Sequence, residues 1–353
     1  MESGASERTQ RPTLAAVATL AGVSASTASL AFSGAGPVSA ATKERVLAAA
    51  RALDYGGPDP RAQSLRRGRS GVVGVVMADR LRDAFRDPVN IAMLDGIADE
   101  LGSASLGLLL MTEPGQGGTD LSTAPMDAVV LVGCSTKVEE SVVVFRQRGI
   151  PVVVIEAEAM PDVLSIDLDN AEATARAARH LASLGHERVA IVTLPLEPSH
   201  ERGPLTPERE AVSTAYTAKQ RIRGVRAVFP QAGGFVASGS LVEEGMIAGR
   251  EILALAPRPT AVIAQSDLLA LGVIRAAEEA GVRVPEELSV VGFDGIRIDG
   301  AESRNLTTLV QPSVEKGRAA GRAIIELLAG GHPDSVSFTS TLRIGSTTGP
   351  VPY

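Results

Sequence analysis

Tryptophan is absent from these 353 residues, and Phe (7) and Tyr (3) are scarce. Cys134 is the single cysteine, so no internal disulfide can form, which suits a reducing compartment. The four histidines, His180, His186, His200 and His332, show no metal-ligand spacing, and no metal site is expected. His186, within Gly-His-Glu-Arg, reads as structural. No glycine-rich phosphate loop with its lysine occurs, and Gly233-Gly234 precedes no helix of the required kind. The polar start from Met1 to Gln10 has no apolar core of a signal peptide, and no run approaches the ~18 apolar residues of a membrane span. No converging set of nucleophile, base and metal ligands is visible, so catalysis and cofactors are not expected.

What is present is a division of charge. Residues 1 to 70 carry nine Lys or Arg against five acids, a net of +4; with the chain at −7, the remainder stands at −11. A cationic module on an acidic body concentrates phosphate-seeking charge at one end. That module reads as three short helices. Thr13 can cap a helix whose Leu14, Val17, Ala18 and Ala21 share one face, and Gly22 can end it. Ser24 caps a second helix from Ala25 to about Phe32, whose outward residues Ala25, Ser26, Thr27, Ser29 and Leu30 are small or short. Ser39 opens a third, with Val46, Leu47, Ala50 and Leu53 at core spacing. Two helices joined at a glycine turn suit a major groove, although the same geometry occurs in proteins that never touch DNA.

From Pro58 to Ser70 a short helical stretch places Leu65 among Arg61, Ala62, Gln63, Arg66, Arg67 and Arg69. Spacing alone leaves two readings of Leu65: a wedge into a minor groove, or a linker residue packing on the next domain.

Beyond Gly71, short β-branched runs (72–77, 106–111, 128–132, 152–155, 189–192, 261–264, 288–291) alternate with helical patterns (90–101, 171–184, 267–280, 313–328). The runs have the look of strands buried on both faces of parallel sheets. Two doubly wound α/β subdomains with a cleft between them are the predicted core.

Several segments in fixed order carry a resemblance. They are Thr13 to Ser33, the stretch Pro58 to Ser70, Gly185-His186-Glu187-Arg188-Val189-Ala190, Arg258-Pro259-Thr260-Ala261-Val262, Ser266 to Gly272, Val284 to Asp294, and Leu306 to Pro312. Together, from about Pro12 to Thr348, the chain resembles the LacI/GalR family of bacterial transcription regulators. The resemblance implies a disordered tail (1–11), a helix-turn-helix domain (12–57), a hinge helix (58–70) and a periplasmic-binding-protein-like core (71–349). Its subdomains would take 71–167 with 311–338, and 168–310 with 339–349.

It also implies site residues. Thr13, Ser24, Ala25, Ser26, Thr27, Ser29 and Leu30, with Arg61, Ala62, Leu65 and Arg66 of the hinge, would meet DNA. Arg221, three residues before Gly224, matches the family's effector-clamping Arg; Asp294, Glu156, Ser266 and Gln311 match further pocket positions, and Phe85, near an expected pocket loop, is taken as a further effector-binding residue. Local alternatives stand beside these: Ser266 can merely cap a helix, and Arg221 can merely pair with a surface acid.

There are departures. The family usually has a basic residue at Leu30, Asn at Ser33, Asp at Ala16 and Asn at Ser266. Only Phe85 and Tyr216 fall near expected pocket loops, so a sugar effector rests on the resemblance. The Pro- and charge-rich stretch 195–210 reads as an extra-long loop, a lid or a disordered segment.

The function expected is that of a cytoplasmic repressor. A homodimer, or a tetramer of paired dimers, would hold a palindromic operator in double-stranded DNA, with a sugar or related metabolite between the subdomains setting its affinity. The alternative is a solute-binding protein without an operator.

Overall fold

The computed structural model describes residues 12–34, 36–59, 64, 68–77, 84–112, 120–132, 137–296 and 305–352. Arg61, Ala62, Leu65, Arg66 and Cys134 lie outside them. The chain divides into two compact units after Ser70.

In the first unit, α1 (Leu14–Ala21), α2 (Ala25–Ser33) and α3 (Ala40–Ala52) each begin at a hydroxyl cap. Thr13, Ser24 and Ser39 accept hydrogen bonds from the amides of Ala16, Thr27 and Thr42 at 3.2, 3.1 and 3.2 Å. Gly22 ends α1 at φ 65°, a left-handed conformation that side-chain-bearing residues adopt at a cost. Val17, Ala28 and Val46 form the centre, flanked by Leu14, Val23, Phe32, Val38, Leu53 and Tyr55. Alanines dominate this core, so the three helix axes can approach closely around little apolar volume.

The second unit holds two sheets. The first runs β12-β5-β4-β3-β1-β2, from Val336–Phe338, Leu164–Leu168, Val152–Ile155, Ala128–Val132, Val72–Met77 and Gly107–Thr112. All its pairings are parallel. The second runs β13-β11-β10-β9-β6-β8-β7, from Thr341–Arg343, Thr307–Val310, Ser289–Asp294, Ala261–Ala264, Val189–Thr193, Gly234–Val236 and Gly203–Pro204. It is parallel except at its two edges, where β13 and β7 run antiparallel. Central strands β3, β4, β6, β9 and β10 are buried throughout, as β-branched runs between helical layers must be. The expected pair of doubly wound subdomains is present.

Helices α4 (Pro88–Ser103) and α11 (Ser313–Leu328) pack together beside the first sheet, and α5 (Val138–Gln147) also packs on it. At Gly317 a Cβ would lie 2.1 Å from the carbonyl oxygen of Met93, so the α4–α11 approach requires glycine there. The second lobe carries α6 (Asn170–Ser183), α7 (Pro207–Val212), α8 (Tyr216–Arg226), α9 (Val242–Leu253) and α10 (Asp267–Glu279).

Three crossings join the lobes: β5 to α6, β11 to α11, and β12 to β13. Asp169 ties two of them. Its carboxylate accepts from the amide and hydroxyl of Ser340 at 2.8 and 3.0 Å and pairs with Arg176 at 2.8 Å.

Residues 195–210 differ from the loop expected. Gly203–Pro204 pairs with β8, Thr206 caps α7, and Arg209 is held by Glu197 at 2.7 Å and by the carbonyl of Glu201 at 2.6 Å. Proline and charge suggested a free loop, but an arginine bonding within its own excursion folds this one on itself, and the pairing with β8 fixes it to the lobe.

Candidate functional site

On the first unit, the residues proposed to meet DNA gather at the start of α2. Ser24, Ala25 and Ser26 are exposed, Thr27 and Ser29 half-buried, while Thr13 caps α1 on its own exposed turn. The Ser24 hydroxyl lies 2.8 Å from those of both Ser26 and Thr27. Leu30 is 37% exposed, and its terminal carbons lie against Gly36.

In the second unit, the carboxyl ends of the strands in both lobes face one cavity, where open α/β sheets bind ligands. Its volume of ≈ 60 Å³ gives room for about four to six waters. From the first lobe come Asp87, Asn90 and Met93 at the start of α4, Val132 and Ile155 at strand ends, Glu156 after β4, and Lys316 from α11. The second contributes Leu194, His200, Arg221, Ser240, Gln265, Ser266 and Asp294. Gln311 enters from the β11 crossing.

A continuous polar network crosses this cavity. Asn170 donates to Glu156 at 2.7 Å; the Lys316 ammonium donates to both Glu156 and Gln311; Gln311 donates to Asp294 at 2.6 Å. Arg221 donates from Nε to Asn170 at 2.8 Å, donates from Nη1 to the carbonyl of Gln265, and reaches Glu156 at 3.7 Å. The network thus links residues of both lobes. Lys316 is 1% and Arg221 2% exposed, a depth at which unpaired charge would be strongly unfavourable.

Burial pushes Glu156 toward neutrality, but the charges of Lys316 and Arg221 outweigh it and hold its carboxyl below the usual range. Asp294 goes the other way: burial carries it well above the ordinary carboxylate value despite Arg221. Burial also raises Asp87. Behind the cavity, Asp267 accepts from the Thr308 hydroxyl at 2.5 Å and the Ile296 amide at 2.9 Å, and burial pushes it up to about 7. Glu156 and Asp294 both have positive φ, 55° and 125°, conformations that non-glycine residues hold only where surrounding contacts enforce them.

Of the pocket residues anticipated from sequence, Arg221, Glu156, Ser266, Asp294 and Gln311 line the cavity together. Ser266 also caps α10, accepting from the Leu269 amide at 3.2 Å, so its local and pocket roles coexist. Phe85 does not belong to the set: it is 57% exposed, and Asp87, the cap of α4, faces the cavity instead. Tyr216 lines a separate hollow with Lys137, Glu158 and Lys219. His186 is buried and within hydrogen-bond distance of Thr260, Ser289 and Gly349, a structural post as expected.

Sequence reasoning missed Lys316, Asn170, Asp87 and Gln265. A signal existed for Lys316: with Ser313, Gly317 and Ala320 it falls at i, i+3, i+4 and i+7 on the buried face of α11. A lysine in that register had to be paired inside.

A family model described as "Bacterial regulatory proteins, lacI family" matches residues 13–57, and one described as "Periplasmic binding protein-like domain" matches 178–348. The HTH-type transcriptional regulator IpsA of Corynebacterium glutamicum is 30% identical over 357 residues, covering 97% of this chain and 99% of the relative. The HTH-type transcriptional repressor CytR of Escherichia coli is 31% identical over 336 residues, covering 92% of each. The crystal structure of a lac repressor dimer bound to operator and an anti-inducer superposes with a TM-score of 0.73 at 21% identity, covering 96% of this chain and 100% of that one. At that identity the likeness is one of fold.

Proposed function

Since the chain belongs to the LacI family of bacterial regulatory proteins, and is therefore a DNA-binding regulator of transcription, we propose that it is a cytoplasmic repressor whose hold on a palindromic operator is set by a small polar metabolite in the inter-lobe cavity. The reading has two first units, paired in a homodimer, placing α2 in successive major grooves, with the hinge residues Arg61, Ala62, Leu65 and Arg66 against the intervening minor groove. The CytR relative supports repression, and the fold shared with an operator-bound dimer supports the arrangement.

The observation that carries the effector half is the network from Asp294 through Gln311, Lys316 and Glu156 to Asn170 and Arg221, which draws on both lobes around one cavity. A ligand hydroxyl that replaces any of these bonds changes the free energy of the lobes' relative position. Such differential contact is what couples a ligand to a second site. The cavity holds acceptors in Asp294 and Asp87 and donors in Arg221 and Lys316, suited to a hydroxyl-rich molecule bound without turnover.

Selection of bound DNA from a random pool, run with and without a metabolite mixture, tests this. A palindrome whose recovery changes with the mixture is expected. Failure to enrich any sequence overturns the operator reading, and enrichment that no metabolite alters overturns the effector reading.

A further inference from the structure

Two cations are buried against the inter-lobe cavity, and a single carboxylate serves both. Lys316 bonds one oxygen of Glu156, while the other oxygen stands 3.7 Å from Arg221, beyond hydrogen-bond distance. The remaining acceptors of the two cations are neutral: Gln311 for the ammonium, Asn170 and the Gln265 carbonyl for the guanidinium. Donors are therefore left over. The ammonium uses two of its three N–H groups, and Nη2 of Arg221 has no acceptor within hydrogen-bond distance among the described residues.

The other titratable side chains of the cavity do not balance this charge. Asp294 accepts from the side-chain amide of Gln311 and forms no ion pair among the described residues; burial favours its neutral form. Asp87 caps α4 and accepts the Val89 amide at 2.9 Å, so it faces the positive end of that helix, and burial raises it as well. His200 lies 3.3 Å from the Ser238 carbonyl. The lining thus carries positive charge in excess, where a cation without a counter-charge is strongly unfavourable. Among the described residues that line the cavity none is aromatic, so no face is offered to a stacked ring.

Resting on the reading that this cavity holds the effector, we infer that the effector is a small aliphatic hydroxy acid whose carboxylate completes the pairing of Arg221 and Lys316. Two carboxylate oxygens suit the unused N–H groups of a guanidinium fork and an ammonium. The hydroxyls fall to Asp294 and Asn90, which line the same space. Room for about four to six waters corresponds to a chain of about three or four carbons with its oxygens.

The test is calorimetric titration of the full chain near neutral pH with matched pairs: glycerate and glycerol, lactate and propylene glycol, erythronate and erythritol, with inorganic phosphate as a separate arm. At least one acid is expected to bind about tenfold or more tightly than its alcohol, the difference made by one charge-assisted hydrogen bond. Lys316→Met leaves Arg221 and Glu156 in balance and should remove that preference. Lys316→Met combined with Glu156→Gln leaves Arg221 alone, restores the excess charge and should restore the preference, an outcome that a merely structural lysine would not produce. Alcohols that bind as tightly as their acids, phosphate that binds more tightly than every acid, or acids that do not bind at all overturn the inference. So does a folded Lys316→Met chain that keeps the full preference. The matched pairs need no variant and decide the matter even where a substituted chain fails to fold. The effector reading itself stands or falls separately, on whether the metabolite mixture alters recovery of the selected DNA.

Discussion

The guanidinium of Arg221 lies over the ring of Phe293, 3.6 Å from its centroid, and covers one face of that fully buried ring. A sugar ring cannot stack where Arg221 already does. The stack fixes the plane of the guanidinium while its nitrogens bond Asn170 and the Gln265 carbonyl and face Glu156. A lysine has neither the plane nor the fork to do this.

Arg221→Lys should therefore weaken the metabolite response, the ratio of operator affinities with and without metabolite, at least tenfold, as expected for loss of a desolvated stacked cation and its paired bonds. Operator affinity across a metabolite titration gives the readout.

Lys316 and Glu156 form a pair that neither member can leave cheaply. Lys316→Met removes the nearest cation from Glu156, leaving it Asn170 and the more distant Arg221, and Glu156→Gln leaves the buried ammonium without its carboxylate, each expected to destabilise by about 3–5 kcal/mol. The double variant should recover most of that loss. Urea unfolding of all four proteins closes the cycle, and additive single effects would show that the pair is not coupled.

Asp267 gives stability a pH dependence with a definite sign. Its folded value of about 7 lies above the ordinary carboxylate value of 3.8, so the folded chain holds a proton that the unfolded chain has released. The stabilisation from this group is complete below the unfolded value and lost as pH rises through the folded one. Asp294, raised by burial in the same sense, adds to it. Unfolding free energy should fall as pH rises from about 4 to about 7, and Asp267→Asn should flatten that slope.

Arg86, the neighbour in sequence of the cavity residue Asp87, pairs across the lobes with Glu243 of α9 at 3.1 Å. Both are largely exposed, so the pair contributes no more than about 1 kcal/mol. Its effect belongs to ligand entry: Glu243→Arg should speed metabolite association, measured by stopped flow, with unfolding stability nearly unchanged. Adding Arg86→Glu should restore the slower rate.

Much of the fold was legible because burial on both faces leaves a strong trace. Runs such as Val189 to Val192 and Ala261 to Ala264 could hardly be anything else. Strands β8, β12 and β13, of three residues each, left no periodicity to read. In the site, Arg221, Glu156, Ser266, Asp294 and Gln311 were found through a family resemblance, each at or near a strand end or helix. Phe85 was misplaced because an aromatic near a pocket loop says nothing of the direction in which the chain turns; the cap of α4 at Asp87 decided that.

The sequence by itself determined the three capped helices, the absence of charge from the first two, the alternation of buried strands and helices, and the family. These are local properties, fixed by hydroxyl caps, glycine turns and hydrophobic period within a few residues. The tertiary structure alone decided that Lys316 should meet Glu156 across 160 positions, that Gln311 should reach Asp294, and that Arg221 should cover Phe293. Only packing of the two lobes removes water from these groups, and a charge deprived of water must find its partner wherever the fold has placed one.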